Sequence, residues 1–320
     1  MFRIIGSLLI ALIGPIVMIP LFIKIQKKYK IGQRIRQEGP NLHQHKTGTP
    51  TMGGLVIFLV VALSLLFYQP RDSNMYAVFV LLCSFGLVGF LDDLIKYHKE
   101  RSLGLKARTK IVMQFVICVL FLFWLYQNQS INQAIIVPFM QSSFYIHWMI
   151  YIPFIILVFI SSTNAVNLTD GLDGLATGLM MIALIAFAVI AFIQGQKNLG
   201  IFSLIIMFAC AGFLVYNFHP AKIFLGDVGS LGLGGALAGI AVITGTELFL
   251  LLIGIVFVIE TMSVIIQVLS IQLNHQPVFR MSPLHHHFEL LKWNEIHIVL
   301  LFWGIGVVFA LIGLLSYPFK

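Results

Sequence analysis

The sequence predicts an all-α polytopic integral membrane protein of about ten transmembrane helices, with both termini outside and an active site at the cytosolic face. Three observations lead there. Of the 320 residues, 59% are apolar and only 10% charged, against roughly a quarter charged in soluble domains. The apolar residues fall in blocks long enough to cross a bilayer, for which about 20 helical residues suffice. The basic residues between the blocks segregate to one side. So few charges cannot coat a water-soluble fold of this size, and the same composition excludes disorder and fibrous repeats.

The first block, 4–23, follows Arg3 as a signal peptide would. No small-residue cleavage site follows, and the run leads straight into Lys24, Lys27, Lys28, Lys30, Arg34 and Arg36. It therefore reads as a retained span whose C-terminal end is cytosolic. Further spans follow near 53–69, 75–91, 111–127, 146–162, 174–194, 199–217, 229–246, 248–272 and 296–317. They are continuously apolar and lack the period-two alternation of barrel strands, so they read as helices. The connectors are too short for a separate domain, and residues 1–320 read as a single transmembrane catalytic domain.

With the spans alternating, sixteen of the twenty Lys and Arg fall on the cytosolic side, leaving Arg3, Arg71, Lys197 and Lys320 outside. That bias fixes orientation. It also explains the net charge of +8 without invoking nucleic acid. Cys83, Cys118 and Cys210 each lie inside an apolar block, with no metal-type spacing, and read as small core residues.

The polar motifs share the cytosolic side. Lys46 to Gly54 forms a Thr- and Gly-rich connector. Asp92 and Asp93 end the third span, where a helix C-terminus disfavours acids and calls for a compensating cation, either Lys96 or a metal. Asp170 and Asp173, in the connector from Asn164 to Asp173, share a face if the sixth helix begins there; an N-capped helix end explains them equally well. Asp227 precedes the eighth helix between Gly226 and Gly229, a turn suited to phosphate. Gly235 and Gly239 make a GxxxG packing face, and no ATP-type phosphate loop occurs. In Pro283-Leu-His-His-His-Phe-Glu289, Ser282 is expected to cap a short amphipathic helix whose first residue is Pro283. That helix is expected to lie against the membrane surface, with His285, Glu289 and Lys292 on one stripe.

Carboxylates, histidines, basic residues and Gly-rich turns converging beside a bilayer suit Mg²⁺-assisted handling of a diphosphate, since Mg²⁺ takes one or two carboxylates plus substrate phosphates. The residues alone reach phosphoryl chemistry at the cytosolic face and leave the substrate unnamed.

At these motifs the chain resembles the phospho-N-acetylmuramoyl-pentapeptide transferase (MraY) family, within the polyprenyl-phosphate N-acetylhexosamine-1-phosphate transferases. The resemblance runs through all five motif loops and the ten-span layout. It implies transfer of phospho-MurNAc-pentapeptide from UDP-MurNAc-pentapeptide to undecaprenyl phosphate, giving lipid I and UMP in peptidoglycan synthesis, with Mg²⁺ as cofactor. It further implies that Asp92, Asp93 and Asp227 are the catalytic aspartates, with Asp227 the metal ligand. Lys46, Thr51, Asn167, Asp173 and Phe224 match uridine-pocket positions, Phe224 stacking on uracil. Asn164, Asp170, Asn217, His285, His286 and His287 match further substrate-binding positions. Arg108 stands where many members have lysine, so a planar fork replaces a point charge. The implied partners are both substrates and the lipid bilayer, with a homodimer left open.

Two alternatives remain at this stage. One is a relative acting on UDP-GlcNAc-type substrates, which usually lacks the histidine motif. The other is an ion-coupled secondary transporter, for which only Glu260 sits mid-span and no internal repeat is found.

Overall fold

The computed structural model describes residues 1–29, 32, 46–99, 101, 103–128, 133–140 and 142–318. Lys30, Arg34, Arg36 and Lys320, part of the charge argument above, lie outside the described residues. Twelve helices are described. In chain order they are α1 (Phe2–Lys28), α2 (Gly54–Tyr68), α3 (Ser73–His98), α4 (Ala107–Gln127), α5 (Trp148–Thr169), α6 (Leu175–Ile193), α7 (Lys197–Asn217), α8 (Gly226–Ile243), α9 (Leu250–Ile253), α10 (Ile255–Asn274), α11 (Leu284–Leu290) and α12 (Glu295–Leu315). Nine are long and apolar enough to cross a membrane. With the shorter α2 they occupy the ten expected positions, so this is an all-α multi-pass membrane protein.

α8 is the axis. From Val228 to Val242 every residue is buried, so the helix has neighbours on all sides. α3 lies along it through small residues: Gly235 abuts the Phe85 ring and Gly239 the Leu81 side chain, as the GxxxG reading expects. Closest of all is Gly89, where any Cβ would run into the backbone carbonyl of Asp227. The two backbones can approach there only because the residue is glycine. α5 covers another flank, with Phe159 stacked on Phe85 at 5.7 Å between centroids. α2 and α6 close the remaining sides, Gly54 of α2 meeting Gly229 backbone to backbone. α7 packs outside them against α6 and α1, burying Cys210; Cys118 is also buried, and all three cysteines are free thiols.

Several boundaries differ from the sequence reading. α3 runs to His98, so Asp92 and Asp93 lie within its last turns and not after its end. α5 extends to Thr169, seven residues beyond the expected end, which makes Asn164 and Asn167 helical. Asp170 and Asp173 then sit in the turn before α6 and share no helix face. Asp227 lies inside the first turn of α8, where the helix dipole favours an acid. The expected span 248–272 is broken at Gly254, after a 3₁₀ turn at Glu247–Phe249 and the single-turn α9; glycine is a poor helix former and permits the break.

The histidine segment departs most. α11 starts at Leu284, with Pro283 as its N-cap and no side-chain capping bond from Ser282. His285 is fully buried, and Lys292 lies past the helix end at φ 65°, so the expected polar stripe does not form. The mid-span carboxylate of Glu260 explains why. It accepts His285 N–H at 3.1 Å and lies 3.1 Å from His285 Nδ1, pulling α11 inward against α10.

A two-stranded antiparallel hairpin, β1 (Ala134–Ile136) and β2 (Ser143–Tyr145), pairs Ile135 with Phe144. Ile136 N–H bonds Gly245 O at 2.9 Å, tying the hairpin to the far end of α8. The motif residues gather at the opposite end.

Candidate active site

That end opens into a cavity of about 700 Å³. Its centre is a set of three carboxylates from two helices. The ligand atoms of Asp92, Asp93 and Asp227 all lie within 4.8 Å of one another, brought together by the glycine contact between α3 and α8. Each acid is tied to a different part of the frame. Asp92 Oδ1 accepts Leu105 N–H at 2.8 Å and so holds the segment before α4. Asp93 Oδ2 accepts Val228 N–H at 3.2 Å, satisfying a donor in the first turn of α8. Asp227 faces two ammonium groups, Lys96 at 2.9 Å and Lys110 at 2.8 Å. Lys96 also lies 2.7 Å from Asp92 and 3.5 Å from Asp93.

Among the described residues three acids meet two lysines here, and the donor set is oxygen only. Both features suit a hard dication such as Mg²⁺. Asp170 lines the same cleft without adding a charge of its own. Its carboxyl is pushed well above the ordinary range, first by burial and then by the charges of Asp227, Asp93 and Asp173.

Along the cavity from the acids, Phe224 and Thr51 stand on adjoining segments held by backbone bonds. Phe224 N–H bonds Pro50 O at 2.8 Å, and Gly53 N–H bonds Phe224 O at 2.9 Å. Gln26 of α1 donates to Thr51 O at 2.6 Å. Lys46 also lines the cavity and pairs with Asp173 at 2.7 Å. Burial alone would raise Asp173, but the Lys46 ammonium, Ala221 N–H and His219 more than offset it and hold the carboxyl below the ordinary range.

Of the residues singled out in the sequence, Lys46, Thr51, Asp92, Asp93, Asn167, Asp170, Phe224, Asp227 and His286 line this one cavity. Asn167 is steadied by donating to Ser230 Oγ at 2.8 Å, and His286 Nδ1 lies 2.6 Å from Glu289 Oε2. Asp173 sits directly behind Lys46, and Asn217 lies buried between Thr177 and Ile223 O, behind the Phe224 segment. Others are not brought in. Asn164 donates to Gln114 at 2.9 Å, between α4 and α5. His285 is held by Glu260, and His287 Nδ1 accepts Arg280 N–H at 3.1 Å on an exposed edge. Arg108 is exposed and does not line the cavity.

Comparison with known proteins bears on this geometry. Residues 75–245 match the model of glycosyl transferase family 4, a stretch that includes all three clustered aspartates. Three phospho-N-acetylmuramoyl-pentapeptide-transferases align along nearly their whole length. The one from Geobacillus thermodenitrificans is 46% identical, with 93% of each chain covered. The one from Geobacillus sp. is 44% identical, with 96% of each covered. The one from Halalkalibacterium halodurans is 45% identical, with 96% of this chain and 95% of its own covered. The chain belongs to glycosyl transferase family 4.

For a member of this family, four residues were missed or underweighted as site residues by the sequence reading. In the sequence Lys96 reads only as a compensating cation, and Lys110 only as a topology charge. Glu295 and His219 carry no site signal in the sequence, because they meet Asp173 and Lys46 from behind the cleft, from the start of α12 and from the turn after α7. Lys110, two residues beyond Arg108, is the base that meets Asp227. The spacing along α4 distinguishes them: Lys110 turns inward while Arg108 faces out.

Proposed function

We propose that this chain transfers phospho-MurNAc-pentapeptide from UDP-MurNAc-pentapeptide to undecaprenyl phosphate, releasing UMP, in peptidoglycan synthesis. The observation that carries the proposal is the joining of the Asp92–Asp93–Asp227 set, with Lys96 and Lys110, to the cavity lined by Phe224 and Lys46. One region offers charge for two phosphates; the other offers an aromatic ring and hydrogen-bonding groups for a nucleoside. Relatives named for this activity cover nearly the whole chain. Glu260, the acid that a transporter reading would use, is fully buried and engaged by His285.

The acceptor is a phosphate monoester with a second pKa of about 6, already mostly dianionic near neutral pH. It needs little help from a general base, and the aspartates serve chiefly to hold cations and position phosphates. An acceptor oxygen attacks the β-phosphorus of the UDP-sugar. The bond from that phosphorus to the bridging oxygen breaks, and UMP leaves with the electron pair. Lys96 and Lys110 lie where anionic charge accumulates, and Asp92 keeps the segment at Leu105 against the site. Bound at Asp227 with Asp92 or Asp93, Mg²⁺ would supply electrostatic stabilisation of the phosphates. The segregation of basic residues supports a cytosolic position for this end of the bundle, with the acceptor reaching it from the bilayer.

The test is direct. Purified protein is incubated with UDP-MurNAc-pentapeptide, undecaprenyl phosphate and Mg²⁺, and UMP is measured. UMP should form only when both substrates are present, stop with a chelator and return with Mg²⁺. Asp227→Asn should lower turnover by about 10²–10³-fold, as loss of a transition-state electrostatic contact does, while leaving the protein folded and inserted. No UMP from the wild type would refute the assignment.

A further inference from the structure

Lys46 lines the cavity, yet its ammonium is not free to act as a phosphate anchor. It lies 2.7 Å from Asp173 Oδ1 and 2.6 Å from Glu295 Oε1. Glu295 is the first residue of α12, just after Asn294, whose side chain accepts Ile296 N–H at 2.9 Å and caps the helix. The N-terminal end of the dipole favours a glutamate there. The same Oε1 accepts Asp173 N–H at 2.8 Å. The other oxygen, Oε2, lies 3.4 Å from His219 Nδ1, and that nitrogen is 3.0 Å from Asp173 Oδ2. One carboxylate thus joins α12 to three other segments: the turn at Lys46, the turn before α6 and the turn after α7. The Lys46, Asp173 and Glu295 side chains are only 9%, 3% and 12% exposed, so the cluster is screened from water. Glu295 itself does not line the cavity.

The charges divide the cleft. At the acid cluster, Lys96 and Lys110 face it from α3 and α4 and can meet phosphate. Elsewhere on the lining, Lys46 already meets two carboxylates, so that wall offers hydrogen bonds with no net positive charge. Such a wall suits a neutral heterocycle and does not compete for the diphosphate. We propose that Glu295 is a positioning residue for the nucleoside end of the nucleotide substrate. It fixes Lys46 and Asp173 in place and keeps the Lys46 ammonium from acting as a second phosphate site. This inference rests on the transferase reading above and adds to it a residue that acts from behind the cleft.

Removing Glu295 should therefore impair binding of one substrate only. With Glu295→Ala, KM for UDP-MurNAc-pentapeptide should rise about tenfold or more while kcat stays within about threefold, the pattern of lost uniform binding. KM for undecaprenyl phosphate should not move, and calorimetric binding of UMP should weaken in parallel. Glu295→Gln keeps an oxygen able to accept from Lys46 and from Asp173 N–H, so it should recover most of the loss. An unchanged nucleotide KM in a folded Glu295→Ala protein would overturn the proposal. So would an equal rise in both KM values, which is what general damage to the fold produces. If Glu295→Ala is not monodisperse in detergent, Glu295→Asp decides, because it keeps the charge but withdraws it by one methylene. It should raise the nucleotide KM alone, and an unchanged value overturns the proposal. These results differ from failure of the transferase reading, in which the wild type makes no UMP.

Discussion

Lys96 Nζ lies 2.9 Å from Asp227 Oδ1, across the interface between α3 and α8. The two residues are 131 positions apart in sequence, and the contact exists because Gly89 lets the helices touch backbone to backbone just beside it. The same lysine reaches Asp92 and Asp93, so one cation compensates three acids that would otherwise repel. Lys96 is then both a structural counter-charge and a group facing the cleft.

Its removal should expose this dual role. In Lys96→Met the three carboxylates retain, among the described residues, the ion pair of Asp227 with Lys110. Breaking a buried pair costs about 3–5 kcal/mol, and the partial exposure of Lys96 argues for a loss nearer about 2 kcal/mol. Added Mg²⁺ should raise the melting temperature of Lys96→Met more than that of the wild type, because the variant holds a less compensated anionic site. Thermal unfolding in detergent with and without Mg²⁺ measures this. An equal Mg²⁺ response in both proteins would rule out the acid cluster as the cation site.

A second prediction concerns pH at the other end of the bundle. Glu247 is 2% exposed, and burial pushes its carboxyl from 4.5 up to about 7. Tyr151 donates to one oxygen at 3.2 Å, and the other has no hydrogen-bond partner among the described residues. The folded state therefore holds this proton more tightly than the unfolded chain does. Stability from this group is full below about pH 4.5 and falls as pH rises toward 7, by roughly 3 kcal/mol in all. Glu247→Gln, which cannot ionise, should flatten the dependence and melt higher than the wild type at pH 7.5. A wild-type melting temperature that rises steadily over this window, with the variant tracking it, would contradict the sign.

The ten-span architecture was legible because bilayer length and charge bias act on whole segments, and no single contact can reverse them. The acids were legible as motifs. Their neighbours were not: Glu295 and His219 meet Asp173 only through tertiary contact, and nothing in their local sequence differs from a helix cap or a turn. The histidine triplet was misread for a related reason. A periodic stripe predicts a surface helix, but the buried carboxylate of Glu260, on another helix, claims His285 and turns the segment inward. Glu260 looked like a lone mid-membrane acid because its partner lies 25 positions away.

Orientation is tested by labelling. Arg71 and Lys99 are both exposed and lie at opposite ends of α3. In intact spheroplasts an impermeant thiol reagent should modify Arg71→Cys, while Lys99→Cys should react only after the membrane is opened. The native thiols at Cys118 and Cys210 are buried and should contribute little background. Labelling of both variants from one side would refute the alternation of spans on which the cytosolic placement of the cleft rests.

The last prediction separates two chemical routes. In the direct route, the lipid phosphate attacks the UDP-sugar and no covalent enzyme forms. In the rival route, an aspartate first takes the phospho-sugar, releases UMP and then passes the group to the lipid. The geometry favours the direct route. Both Asp227 oxygens are engaged by ammonium groups, and Asp93 and Asp92 each accept a backbone N–H, so none of the three is a bare nucleophile. Because one phosphoanhydride replaces another, the reaction should run readily in reverse when lipid I and UMP are supplied. With undecaprenyl phosphate rigorously removed, only the two-step enzyme can exchange labelled UMP into UDP-MurNAc-pentapeptide, since only it forms UMP without an acceptor. The wild type should show exchange at background level without lipid and rapid exchange once the acceptor is restored. Robust lipid-free exchange that disappears in Asp227→Asn would establish the covalent route instead, and would require Asp227 to leave at least one of its lysines during turnover.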